Sequence, residues 1–145
     1  MTLSRVFFLA GAMPYLVLGA AHALATPLTP ESRKGLAPRD PALVSAMRNA
    51  VVLLTSRTDV WRAWIGFNLS HSLGAVLFGA FVLLIGRSDT AFAADSAFAL
   101  PLVTLVAAVY LIIGIRYWFR TPITGIAISL ACFALSWALL LFGPR

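Results

Sequence analysis

Asn68, His71 and Ser72 are the side chains of this sequence best equipped for chemistry, and they sit inside a segment of membrane length. At helical spacing Trp61, Trp64, Asn68, His71, Ser72, Ala75 and Gly79 fall on one face. Hydrocarbon makes amide and imidazole groups expensive, so a stripe holding both is expected to point at a partner or a ligand. His22, the other histidine, lies about one turn before the end of the first apolar segment. With a rise of about 1.5 Å per residue, His22 and His71 come to lie roughly 5 and 10 Å below the same boundary. That spacing predicts one shared leaflet and a depth offset of about one turn. Tyr15 shares a face with His22, and Tyr117 reaches the depth of His22 from the third apolar segment. Thr121 and Thr124 open the fourth on the same side. A pocket lined by Tyr15, His22, Trp64, Asn68, His71, Ser72 and Tyr117 is the expectation.

Several chemistries compete for such a pocket. A few polar groups near the mouth of an apolar bundle suit a lipid or another hydrophobic small molecule, its polar head at His71, Asn68 and Tyr117. Two histidines on adjacent antiparallel helices could instead be axial ligands of a b-type haem, although their depth offset and the bulky Phe and Trp residues near His71 oppose it. No metal site is expected, because neither carboxylate nor thiolate accompanies the histidines. Catalysis is not favoured: His71 could serve as a general base, but it has no paired carboxylate and no nucleophile beyond hydroxyls. The plainest alternative is interhelical hydrogen bonding, with Asn68 and Ser72 as glue. Small residues Gly125, Ser129, Cys132 and Ser136 on the last segment suit close helix packing. An accessory subunit of a larger membrane complex, or a homodimer, is therefore also expected to fit.

The composition fixes the class. Of 145 residues 61% are hydrophobic and 11% charged, too few charges to cover a soluble surface. The expectation is an all-α integral membrane protein, a single membrane domain over 1–145 built as a four-transmembrane-helix bundle. Its spans are expected at about 6–25, 63–85, 98–119 and 123–142. The apolar run of the first span is longer than the core of a signal peptide, so it reads as a retained span. Thr58 or Asp59 is the expected N-cap of the second span, and Asp95 or Ser96 that of the third, with Pro101 in its first turn. Thr121-Pro122 reads as cap and first position of the fourth, giving a tight hairpin with the third.

Residues 26–58 form the long connection. Its first part is proline-rich and irregular. Asp40-Pro41 then starts an amphipathic interfacial helix over about 41–55, with Leu43, Val44, Met47, Val51 and Leu54 opposite Ser45, Arg48 and Asn49. The net charge of +6 belongs to the flanks of apolar spans and signals no nucleic acid. The connection and the Arg120 turn carry Arg33, Lys34, Arg39, Arg48, Arg57, Arg62, Arg116 and Arg120, against Arg5, Arg87 and Arg145 on the other side. That excess places the connection in the cytoplasm and both termini outside, in a bacterial inner membrane whose lipids are the expected partners. Cys132 is the single cysteine and gives no disulfide framework.

The run Trp64-Ile65-Gly66-Phe67-Asn68-Leu69-Ser70-His71-Ser72-Leu73-Gly74, after a first span ending near His22, resembles small uncharacterised bacterial four-span membrane proteins. The resemblance covers most of the chain and implies the architecture, with no activity attached. In layout alone, a compact bundle beside an amphipathic helix is similar to sterol-binding and sterol-isomerase membrane proteins of the EXPERA type. The spans here carry no acidic residue, and the resemblance maps none of that family's functional residues onto this chain.

Overall fold

The computed structural model describes residues 1–143; Arg145, one of the side cations counted above, lies outside the described residues. The element order is α1 (Leu3–Ala25), α2 (Pro41–Asn49), β1 (Val51–Val52), β2 (Thr55–Asp59), α3 (Val60–Ile85), α4 (Asp89–Tyr117) and α5 (Arg120–Phe142). Helices α1, α3, α4 and α5 are long and apolar enough to cross a membrane, and side chains from all four meet in one buried cluster. The protein is a small integral membrane protein of the all-α class, with the short α2 between its first and second spans.

Local chemistry explains most boundaries. Asp40 accepts a hydrogen bond from the Ala42 amide at 2.8 Å and Pro41 follows it, so α2 starts as its sequence dictates. Asp59 caps α3 by accepting from the Arg62 amide at 2.7 Å. Other boundaries differ from the sequence expectation. The amphipathic helix stops at Asn49 rather than near 55, because the β-branched Val51, Val52 and Thr55 leave the helix and pair as a small antiparallel hairpin with register Val51↔Asp59 and Val52↔Thr55. The apolar stripe imagined over 43–54 is thereby split, and Leu53 and Leu54 become an exposed turn.

Helix α4 begins at Asp89 rather than 98, since Ser88 accepts from the Ala91 amide at 3.1 Å and the alanine-rich stretch after it favours helix. Neither Asp95 nor Ser96 is its cap, and Pro101 becomes interior, where it can donate no helical hydrogen bond. At about 1.5 Å per residue α4 is about 43 Å long, more than the roughly 30 Å of hydrocarbon, so its first turns extend past the apolar layer or the helix tilts. Helix α5 begins at Arg120 after Phe119, which makes no side-chain cap; Thr121 and Pro122 lie inside its first turn. A connection of two residues, Trp118 and Phe119, therefore joins α4 to the antiparallel α5, and the two helices pack closely.

The chain divides into two compact units: Met1–Leu18 with Ala75 onward, and Gly19–Gly74. The first holds the core, centred on Phe8, Leu100, Val103 and Phe133, none of them exposed. Phe133 packs against Phe8 and Phe78. Glycines make these approaches possible: a Cβ on Gly79 would stand 2.7 Å from Leu16 Cγ, and one on Gly11 would collide with the Phe133 ring. Ser4 and Ser136 are buried and reciprocally bonded, each hydroxyl donating to the other's carbonyl at 2.8 Å. Ser136 thus does more than permit close approach: it ties the start of α1 to the end of α5. Arg5 donates through Nε to the Gly86 carbonyl at 2.7 Å and pairs with Asp89 at 2.9 Å, capping the C-terminus of α3.

The second unit holds α2, the hairpin, the end of α1 and the first half of α3. In the irregular segment, the Leu36 amide donates to the Ala25 carbonyl at 3.1 Å and Thr26 Oγ1 donates to the His22 carbonyl at 2.9 Å. The end of α1, which carries His22, is fixed by these two bonds.

Candidate functional site

Within the second unit the expected histidines meet. His22 Nε2 lies 2.8 Å from Asn68 Oδ1, and the His22 and His71 rings are 5.2 Å apart at 65°, edge to face. The one-turn offset deduced from the sequence does not keep the two rings apart.

The amide orientation assigns the proton. Asn68 Nδ2 donates to the Trp64 carbonyl one turn earlier, at 2.7 Å, so Oδ1 is the atom left to face His22. An oxygen accepts, and His22 Nε2 therefore carries the hydrogen. In the neutral ring Nδ1 is then the acceptor. Asn68 acts as the hinge of a short chain, Trp64 carbonyl to Asn68 to His22; Ser72 stands outside it, its hydroxyl donating to the Asn68 backbone carbonyl within α3 at 2.8 Å.

Burial separates the members. Asn68 and Ser72 are buried at 7% and 2% exposure, whereas both imidazoles and Trp64 are half-buried. Phe67, one turn before His71, stacks on it with ring centroids 6.2 Å apart at 12° and is itself 68% exposed. The arrangement is a sealed amide base with two imidazoles standing partly open above it, walled on one side by Phe67. Helical spacing from His71 was the signal for Phe67, which the polar stripe alone passes over. Trp61, on the same stripe, is buried and packs against Trp64 at 5.4 Å.

Two expected members belong to the first unit. Tyr15 belongs to the first unit, buried against Phe78 at 4.6 Å and Tyr110 at 5.8 Å. Its hydroxyl has no hydrogen-bond partner among the described residues. Tyr117 also belongs to that unit, 75% exposed at the end of α4. Thr124 returns its hydroxyl to the Arg120 carbonyl at 3.0 Å, so it is occupied with its own helix.

The geometry also bears on haem and metal. Axial ligands need two imidazole nitrogens opposed across a gap. Here the rings touch edge to face and His22 Nε2 is engaged by Asn68, so the pair is not arranged as axial ligands. Among the described residues no three His, Cys, Asp or Glu side chains gather as a metal cluster. Cys132 is half-buried on α5. No protein-family profile, curated protein or solved structure matches this chain.

Proposed function

We propose that this membrane protein binds a lipid or another hydrophobic small molecule whose polar head meets His22, Asn68 and His71. The observation that supports this reading is the half-exposure of two imidazoles held by a buried amide. A purely structural interhelical bond is best sealed from its surroundings, where nothing competes for its atoms. These imidazoles are reachable from the side, and the adjoining exposed Phe67 offers an apolar neighbour for a chain. Because His22 Nε2 donates to Asn68, the neutral ring offers an acceptor, and a hydroxyl at the head of the ligand is the complementary group. The Trp64 backbone carbonyl serves as a positioning group through the Asn68 amide.

Native mass spectrometry of the chain released from lipid-containing micelles tests the reading. His71→Ala and Asn68→Leu are expected to lower the fraction of protein retaining a ligand several-fold, while Cys132→Ala leaves it at the wild-type level. Equal retention in all three variants removes the site. Orientation follows the excess of Lys and Arg on the connection, which we place in the cytoplasm of a bacterial cell. In a Cys132→Ser background, Ser32→Cys is expected to react with an impermeant maleimide only from the cytoplasmic side, and Thr90→Cys only from the opposite one. The reverse pattern inverts the topology and leaves the binding reading intact.

A further inference from the structure

We propose that a second site, in the connection between the first two spans, binds a head group carrying both a phosphodiester and a primary amine. A cavity of about 400 Å³ opens there, lined by Pro30, Pro41, Ser45, Arg48, Asn49 and Asp59 over the buried Val44. That volume lies in the range of small-molecule sites, roughly 300–1,000 Å³. Ser45, Arg48 and Asn49 follow the i, i+3, i+4 spacing and so present one polar face of α2. Strand β2, which ends in Asp59, packs against that helix.

The charges specify the ligand. Arg48 belongs to none of the ion pairs among the described residues. The Asp59 carboxylate accepts from the Arg62 amide through Oδ1, and among the described residues Oδ2 has only the loose, exposed Arg62 guanidinium at 3.9 Å. One cation and one anion therefore line a shared cavity without neutralising each other. A simple anion would satisfy Arg48 and be repelled by Asp59; a simple amine would do the opposite. A zwitterion satisfies both, its phosphate on the Arg48 guanidinium and its ammonium N–H groups on Asp59, while Ser45 and Asn49 supply neutral hydrogen bonds.

Position favours a membrane source. Asp59 directly precedes the apolar α3, so the cavity stands where a span meets its polar boundary. The hairpin turn that leads into β2 carries Leu53 and Leu54, 108% and 94% exposed, a tip suited to acyl chains rather than water. The inference does not rest on the histidine cluster.

The full chain in nanodiscs of equal phosphatidylethanolamine, phosphatidylglycerol and phosphatidylcholine, analysed by native mass spectrometry, provides the test. Wild type is expected to retain phosphatidylethanolamine about tenfold over the other two, the effect of one charge-assisted hydrogen bond. Arg48→Gln is expected to abolish most of that retention. Asp59→Asn keeps a good N-cap for α3 but is expected to erase the preference over phosphatidylglycerol. Cys132→Ala is expected to leave the preference unchanged. No preference in wild type, or the same preference in the Arg48 and Asp59 variants at unchanged helical content, overturns the proposal. Soluble glycerophosphoethanolamine distinguishes the sources. Displacement of the retained lipid at matched concentration assigns the site to a free zwitterion, and persistence of the lipid assigns it to the bilayer.

Discussion

Phe133→Ala is expected to destabilise the protein by about 3 kcal/mol. The ring is fully buried, with Phe8 and Phe78 at 6.0 and 6.3 Å. It also lies directly on Gly11, where a Cβ would come within 2.7 Å of Phe133 Cδ1. Lipid is as apolar as the core, so helix association here draws on van der Waals contact rather than on escape from water. That places the effect at the lower end of the usual range for a buried phenylalanine. Equilibrium unfolding in mixed micelles measures it, with Leu135→Ala, 42% exposed on the same helix, as the control. The control is expected to stay within about 0.5 kcal/mol of wild type. Equal losses at the two positions would mean that α5 is packed differently.

Asn68→Leu ranks next. Interhelical hydrogen bonds in membranes average about 0.6 kcal/mol and reach about 1.7. Asn68 makes one such bond, to His22, and within its own helix donates to the Trp64 carbonyl; its loss strands the His22 N–H. A loss of about 1.5 kcal/mol is therefore expected. A double-mutant cycle with His22→Leu is expected to show a coupling of about 1 kcal/mol, because the second substitution removes the group that the first leaves unpaired. Additive losses would separate the two side chains. The stability cost alone fits interhelical glue equally well; a loss of ligand at the same position is what the binding reading adds.

The architecture was legible because length and composition suffice for it: four apolar runs of membrane length admit few folds. Asp40 and Asp59 announced their helices through cap chemistry that the structure uses. Ser88 was harder to see, since the helix it starts runs nine residues ahead of the continuous apolar stretch, and hydropathy outweighed the helix-forming alanines. Val51 and Leu54 misled for a different reason. They fit a helical stripe by spacing, yet β-branched neighbours and the pairing partner Thr55–Asp59 settle the segment as a hairpin. Pairing of that kind is tertiary and carries no periodic signal in so short a strand.

The histidine cluster was legible in part. Asn68, His71 and Ser72 share a face by helical arithmetic, and depth from the boundary brought His22 near them. Arithmetic on one helix cannot fix the rotation of another, and this is why Tyr15, on the face of His22 by spacing, turns its ring to Phe78 and Tyr110. The reciprocal Ser4–Ser136 pair was hidden for the same reason: 132 positions separate its members, and each alone is an ordinary small residue.

Photochemical labelling tests the central claim most directly. The probe is an alkyl chain with a hydroxyl head and a diazirine at one carbon near that head, incorporated into micelles with the purified chain. Binding at the histidine cluster predicts that adducts concentrate in the peptides spanning residues 19–26 and 60–74, and that Asn68→Leu disperses them. Adducts spread evenly along all four spans, in wild type and variant alike, would contradict it and leave His22, Asn68 and His71 as a bond between helices.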